Sequence, residues 1–393
     1  MLQFLEMETL GVYIQVPFCQ TKCTYCNFHT GVVSPGRFVP YAAAVHCEID
    51  ERRKLWKSAG INYDDSRRTV DTVYFGGGTP SLLEPELLEN MLNAVRGNFD
   101  YQFKEVTLEA DPETVTTQKA KAWSAAGINR VSFGAQSFVD EELRAAGRMH
   151  RSADVYRAIP LLREAGIQNI SFDLIAGLPK QTRQSWQYSL SELIALSPEH
   201  VSIYMMEIDE SSRLGLEVLQ GGARYNAREL PSEESMAEFY EFAQAELSTA
   251  GYNQYEISNW AKPGLESRHN LKYWRREPYL GFGAAAHSFS GTQRWANLHD
   301  AADYVAAISE AKSLQHSVET VTQQAALEEE FFLGLRQLSG INVGHIETRY
   351  GVDFHEKVAR LSRAGMLQQR GELVRLNPEK LSMSNEVIVE LLR

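Results

Sequence analysis

An α/β fold built on parallel strands, a partial (β/α)6 barrel, is predicted by three features of this sequence. Short apolar runs alternate with longer amphipathic stretches. One segment repeats: Ala126-Gly127-Ile128-Asn129-Arg130-Val131-Ser132-Phe133 returns 39 residues later as Ala165-Gly166-Ile167-Gln168-Asn169-Ile170-Ser171-Phe172. That spacing fits one strand plus one helix, and successive units of this kind give parallel strands joined by right-handed crossovers. Every chemically distinctive motif then falls at a strand end, where such folds collect their sites. Strands are expected at 12–17, 70–75, 105–110, 130–135, 169–175 and 200–206. Helices are expected near 37–57, 84–96, 116–125, 152–165 and 182–196, each repeat's helix stopping at a glycine.

The first strand, within Gly11-Val-Tyr-Ile-Gln-Val-Pro-Phe18, runs directly into Cys19, Cys23 and Cys26 in CQTKCTYCNF. Three soft thiolates at this spacing suit an iron–sulfur cluster with one iron left open. A structural zinc ion would want a fourth Cys or His, for which His29 is available. The second strand ends in Gly76-Gly77-Gly78-Thr79-Pro80, where bare backbone admits a ligand's polar groups and Thr79 adds a hydroxyl. Later strand ends carry Glu109 in LEADP, Gln136 in SFGAQSF, Arg148 in GRMH and Asp173 in SFDLIAGLP. Singly, each could cap a neighbouring helix. Behind a three-cysteine loop, they read as one cofactor pocket.

Composition narrows the setting. The 393-residue chain is long enough for two or three domains. Its net charge of −12 argues against nucleic acid, which calls for clustered Lys and Arg. Three of the four cysteines sit in one short run and Cys47 stands alone, so no disulfide framework is expected and the compartment is read as reducing and cytoplasmic. The leading MLQFLEMETL lacks a basic n-region and a long apolar core, so no signal peptide is expected. No stretch of about 18 apolar residues predicts a membrane span.

On the triplet, the glycine turn and the strand-end residues, the chain resembles the radical S-adenosylmethionine superfamily. The resemblance implies a [4Fe-4S] cluster on Cys19, Cys23 and Cys26. It also implies an S-adenosylmethionine site among Tyr13, Tyr25, Gly77, Gly78, Thr79, Glu109, Gln136, Arg148 and Asp173. The order of these residues is similar to the oxygen-independent coproporphyrinogen III oxidase family and its haem-chaperone branch, HemW. In the oxidase a fourth cysteine follows two positions after the third, and an N-terminal arm adds contacts. This chain has Phe28 at that position and eighteen residues before Cys19. Both departures speak against porphyrinogen decarboxylation.

A second motif, Arg268-His269-Asn270-Leu271-Lys272-Tyr273-Trp274, matches the His-Asn-x-x-Tyr-Trp pattern that the resemblance associates with haem binding. A neutral imidazole is a good axial ligand, Tyr273 and Trp274 offer flat apolar surface, and Arg268, Lys272, Arg275 and Arg276 could meet propionates. A packed, hydrogen-bonded histidine is the plainer reading of the same residues. His287 in GFGAAAHSF competes as ligand. The Gly221-Gly222-Ala-Arg-Tyr stretch is expected to be a mobile loop and a lid.

Beyond it, a helical pattern opening at Glu328, a hairpin over 366–376 turning at Arg370-Gly371, and a last helix at 384–392 predict a smaller α+β, winged-helix-like domain. It lacks the basic face that DNA binding would require. Three regions are thus expected: a core barrel at 1–225, a connecting region with the HNLKYW motif at 226–315, and the C-terminal domain at 316–393. Two functions compete. One is a haem chaperone that uses the cluster and S-adenosylmethionine and serves haem-accepting proteins. The other is a radical enzyme acting on a tetrapyrrole. Either implies an electron donor such as a flavodoxin or ferredoxin, and the chaperone reading allows a homodimer.

Overall fold

The computed structural model describes residues 8–392, so most of the leading segment read above for a signal lies outside the described residues. Strands β1 (Glu8–Val16), β2 (Arg68–Gly77), β3 (Asp100–Ala110), β4 (Arg130–Gln136), β5 (Asn169–Ala176) and β6 (His200–Met205) lie side by side, in sequence order and parallel. Between them run α1 (Phe38–Ser58), α2 (Pro85–Asn98), α3 (Thr117–Ala126), α4 (Asp140–Ala145), α5 (Ser152–Glu164) and α6 (Arg183–Leu196). Both repeat glycines end helices in the left-handed region: Gly127 has φ 97° and Gly166 φ 94°, a conformation that costs a Cβ-bearing residue about 1 kcal/mol. Hydroxyl caps start the helices, with Thr116 accepting from Lys119 N and Thr182 from Ser185 N.

Side-chain parity gives the barrel its character. Val12, Ile14, Val73, Phe75, Val106, Leu108, Val131, Phe133, Phe172, Leu174 and Val201 are fully buried against the helices. Alternate positions carry Tyr13, Gln15, Tyr74, Thr107, Glu109, Arg130, Ser132, Ser171, Asp173, His200 and Ser202. Register sets these side by side, as Tyr13↔Tyr74↔Thr107↔Arg130 and Glu109↔Ser132↔Ser171↔His200, and successive side chains of a strand face opposite ways. The inner face of the sheet is therefore polar along the strands, where most parallel sheets are apolar on both faces.

The region expected to be a connector instead extends this sheet to twelve strands. After α7 (Arg213–Leu219) and α8 (Glu233–Thr249) come β7 (Asn253–Glu256) and β8 (Asn259–Ala261); β8 pairs antiparallel with β6, and β7 pairs antiparallel with β8 at the edge. Then α9 (Arg268–Trp274) precedes β9 (Tyr279–Phe282), which pairs parallel with β1. Strands β10 (His287–Phe289), β11 (Gln293–Asn297) and β12 (Gln315–Thr320) complete that edge, with α10 (Ala301–Ser309) between the last two. Exposed strand edges must be paired or covered, and here both are extended by short strands too weak in pattern to stand out in the sequence.

The last part of the chain has its own apolar core, including Phe331, Leu335, Ile346, Val358, Leu361, Val374, Ile388 and Leu391. It comprises α11 (Gln323–Gly334), α12 (Val343–Tyr350), α13 (His355–Arg363), the hairpin β13 (Leu367–Arg370) and β14 (Leu373–Leu376), and α14 (Ser384–Leu392). Arg276 and Arg294 both bind Glu329 and tie this module to the barrel. Among the described residues, no helix is long and apolar enough to cross a membrane.

Candidate metal centre and cofactor pocket

The cysteine loop leaves β1 through Pro17 and is held at both ends. Phe18 and Cys19 pair with Gly31 and Val32. Thr24 N donates to Ala146 O at 3.1 Å, and Leu214 N donates to Thr24 O at 2.8 Å. Leu214 and Met236, on the elements either side of the segment read as a mobile lid, share a small apolar cluster with Ala146, Ile175, Leu178 and Met206, and of the segment itself Tyr225 packs against it, together with Tyr25 and Val218.

All three cysteines are free thiols and line one cavity of about 370 Å³, a size suited to a small cofactor. Among the described residues, the groups whose ligand atoms converge within 4.8 Å are Asp111–Glu113–His150 and Glu347–Asp353–His355; the cysteines are not one of them. A single zinc at about 2.3 Å from each sulfur would draw them to within about 4 Å of one another. A cluster gives each thiolate its own iron and accepts the wider set. His29, the residue available as a fourth zinc ligand, stacks on His299 with ring centroids 4.4 Å apart. Burial pushes the Cys19 thiol above its ordinary value, so ionisation there calls for a metal's charge. Arg148 brings a positive charge to another thiol of the set: its Nη1 donates to Cys23 Sγ at 3.4 Å.

The remaining walls come from the strand ends. Gly77 sits at φ 108°, and a Cβ on Gly78 would stand 2.5 Å from Phe18 O, so the turn can only be glycine where it meets the cysteine loop. Gly77 N donates to Glu109 Oε2 and Tyr74 OH to Glu109 Oε1, each at 2.9 Å. Burial still raises that carboxyl to about 7. Thr79 Oγ1 donates to Asp111 Oδ2 at 3.1 Å, and Arg148 bonds both Asp111 and Gly134 O. Burial also raises Asp173 above the usual carboxylate range, against hydrogen bonds from Ser202 and Ser132. Gln136 has φ 62°, and its Oε1 is buried with no hydrogen-bond partner. An orphaned acceptor on the wall of a polar cavity marks a place for a ligand donor. Thiol set, bare glycine backbone and orphaned amide together fit a cluster with S-adenosylmethionine beside it.

The cavity brings together Cys19, Cys23, Cys26, Tyr25, Gly77, Gly78, Thr79, Glu109, Gln136, Arg148 and Asp173. Tyr13 is not on its wall: it stacks on Tyr74 at 5.9 Å and donates to Gln15 Oε1 at 2.8 Å, deeper in the barrel. The haem-ligand expectation for His269 and Tyr273 also meets a different arrangement, while Trp274 is half-buried with its carbonyl accepting from Gln337 Nε2 at 3.1 Å. His269 is 1 % exposed. Its Nδ1 lies 2.9 Å from Thr72 Oγ1 and its Nε2 2.8 Å from Tyr273 OH, so neither ring nitrogen is open to iron. Burial first, then Lys272 and Arg130, lowers it to about 3. Lys272 is held by Asp71 and Glu277, and Arg276 by Glu329 and Glu330, which removes two of the four cations offered to propionates. Glu105 accepts from Arg268 N and His269 N and caps this helix onto the barrel. Sequence reasoning missed Asp111, Ser132, Gly134, Met149 and Tyr204 on the cavity wall. Asp111 stands two residues past Glu109, and Ser132 shares the inner parity of its strand.

Comparison with known proteins agrees with this geometry. The family model described as the radical SAM superfamily matches residues 13–193, and the HemN C-terminal domain matches 321–379. The protein named heme chaperone HemW of Bacillus subtilis is 33% identical over 383 residues, covering 96% of this chain and 97% of that one. HemW of Lactococcus lactis is 31% identical, covering 97% of each. The mitochondrial radical S-adenosyl methionine domain-containing protein 1 of Bos taurus is 36% identical over 71% of this chain and 60% of its own length. The solved coproporphyrinogen III oxidase (HemN) of Escherichia coli superposes with a TM-score of 0.82 at 20% identity, covering 98% of this chain and 90% of that one; at that identity the likeness shows the fold alone.

Proposed function

The chain belongs to the radical S-adenosylmethionine superfamily, in the HemW and HemN family, and from that membership we propose that it is a haem chaperone. On this reading Cys19, Cys23 and Cys26 hold a [4Fe-4S] cluster, S-adenosylmethionine occupies the cavity beside it, and haem is the cargo passed to haem-accepting proteins. The observation that carries the cofactor assignment is the wide-set thiol triplet on the wall of a cavity that also presents the orphaned Gln136 Oε1. When bound, the cluster supplies a single electron and an open iron, and S-adenosylmethionine supplies the sulfonium that such an electron can cleave.

The chain's own residues set the terms of that binding. Gly77 and Gly78 expose backbone to an amino-acid moiety, and the Gln136 amide accepts a hydrogen bond. Arg148, fixed by Asp111 and Gly134, offsets the charge of Cys23. Glu109 near pH 7 sits between its charged and neutral forms, so it can accept from a cation or donate to an anion. The cargo assignment draws on the relatives' names over nearly the full length of the chain. It also draws on Phe28, 64 % exposed on the wall of the cavity, where the resembling oxidase has a cysteine. A flavodoxin or ferredoxin as electron donor, a homodimer and a cytoplasmic setting belong to the same reading. The test is anaerobically reconstituted protein assayed side by side for haem binding and coproporphyrinogen turnover. Haem binding without vinyl product is expected. Vinyl product formed with S-adenosylmethionine consumed in proportion would make the chain an oxidase.

A further inference from the structure

Arg148 stands in the turn between α4 and α5, and that turn is fastened to the cysteine loop. Thr24 donates to Ala146 O from its N at 3.1 Å and from its Oγ1 at 3.2 Å. Gly147, at φ 77°, passes so near that a Cβ on it would stand 3.3 Å from Thr24 Cγ2. Contacts at the root of the side chain thus register the guanidinium against the thiols, and its own donors fix the far end. Nη1 donates to Cys23 Sγ at 3.4 Å, Nη2 to Asp111 Oδ1 and Gly134 O, and Nε to His150 Nδ1 at 3.4 Å. Of an arginine's five N–H groups, four are engaged in these bonds, and one on Nη1 remains for a ligand.

The residues behind Arg148 are held in turn. Asp111 Oδ2 accepts from Thr79 Oγ1 at 3.1 Å. His150 is 1 % exposed, with Nε2 3.1 Å from Ala135 O. A carbonyl can only accept, so Nε2 carries the ring proton and Nδ1 offers its lone pair to Arg148. Burial, then the charge of Arg148, lowers this ring to about 4, and it stays neutral at ordinary pH. Asp111, Glu113 and His150 are one of the groups whose ligand atoms converge within 4.8 Å. A cation there would have to displace Arg148, which already takes up an Asp111 oxygen and the free nitrogen of His150. The group is a clamp on an arginine.

We propose that Asp111 and His150 are positioning residues for the reduction potential of the cluster: they hold the Arg148 guanidinium against Cys23 Sγ, where its N–H and its charge favour the reduced state. The proposal rests on the cofactor reading above and deepens it. Hydrogen bonds to the sulfurs and net charge are the means by which a protein sets such a potential. An arginine fork supplies both from one plane and keeps donors for its own anchors, which the single ammonium of a lysine does not. The sign of one substitution separates positioning from plain electrostatics. By its charge alone, a carboxylate near the cluster opposes an added electron, so removing Asp111 would raise the potential. Through the clamp, removing it frees Arg148 and lowers the potential.

The test is a mediated redox titration of the anaerobically reconstituted full chain without S-adenosylmethionine, read by the electron paramagnetic resonance of the reduced cluster. Iron and sulfide content report that each variant holds it. At the midpoint of the unchanged chain, Arg148→Gln is expected to lower the reduced-to-oxidised ratio roughly tenfold, which is about 59 mV for a one-electron couple. Asp111→Ala is expected to lower the ratio when Arg148 is present and not to lower it in the Arg148→Gln background, where there is no guanidinium to hold. His150→Leu deletes only the rear acceptor; it is expected to shift the ratio the same way by less, and it carries the test if Asp111→Ala takes up no iron. An unmoved ratio in Arg148→Gln, a rise in Asp111→Ala, or an equal fall from Asp111→Ala in both backgrounds overturns the proposal and leaves the cofactor reading standing. An unchanged chain that takes up no four-iron cluster sinks the cofactor reading itself.

Discussion

The two ends of one barrel are finished in opposite ways. Below the strands, α9 closes the interior with its polar groups matched: His269 between Thr72 and Tyr273, Lys272 between Asp71 and Glu277, and Glu105 under the helix N-terminus. Above the strands, three thiols, a glycine turn and the unpaired Gln136 amide face a cavity. Arg130 lies buried between the two, with Nε and Nη1 unpaired, and its charge reaches both His269 and Glu109. The lesson is that composition does not separate a site from a plug. Histidine, lysine and tyrosine gather at the floor because a polar barrel interior needs hydrogen-bonding partners as well as bulk. The end that binds is the end where those partners are missing.

The sharpest break of this comparison is at the thiols. Cys19→Ala, Cys23→Ala or Cys26→Ala should each abolish a four-iron spectrum and the matching iron and sulfide, whereas Cys47→Ala, on α1, should leave both intact. Loss of the cluster in the Cys47 variant would undo the assignment.

At the floor, His269→Ala should act on stability. It removes a buried ring and strands the hydroxyls of Thr72 and Tyr273, so a loss of about 2–4 kcal/mol is expected in urea unfolding. A variant that unfolds like the unchanged chain would show the floor to be dispensable packing.

At the cavity, Gln136→Leu should do the reverse. S-adenosylmethionine affinity should fall by about 1–3 kcal/mol, roughly five- to 150-fold, with little change in unfolding. Calorimetric titration under anaerobic conditions reads the first, and an unaltered affinity would move the ligand away from this wall.

The smallest effects are in pH. His269, at about 3 against an ordinary 6.5, binds its proton more weakly folded than unfolded. Its contribution is full above about 6.5 and is lost as pH falls towards 3. Glu109, at about 7 against 4.5, binds its proton more tightly folded, so its penalty grows as pH rises from about 4.5 to 7. Unfolding free energy against pH should therefore lose its acid slope in His269→Gln and its slope between about 4.5 and 7 in Glu109→Gln. Exchange of the two effects between the variants would reverse the picture of the two ends.

Much of this arrangement is legible in the chain itself, for a definite reason. Strands, helices and stops are set by interactions within a few residues: alternation along β4 and β5, hydroxyl caps at Thr116 and Thr182, left-handed glycines at 127 and 166. Once parallel βα units are established, strand ends must share a face, which is why Cys19, Gly77, Glu109, Gln136 and Asp173 could be placed in one pocket without coordinates. Tyr13 shows the limit of that reasoning. It precedes the cysteine loop in sequence, but its register with Tyr74 puts it a layer deeper.

What sequence alone determined, then, is the order of local units and the end of the barrel at which the thiols stand, because both follow from short-range periodicity and from the handedness of the crossover. Tertiary structure decided the rest: that residues 253–320 extend the sheet at both edges, that His269 meets Thr72 from 197 positions away, and that His29, His287, His299 and His316 share a face. Those contacts join elements whose separation along the chain carries no periodic signal. Whether an imidazole is saturated or free depends on which distant hydroxyl packs against it, and only the folded chain brings that hydroxyl there.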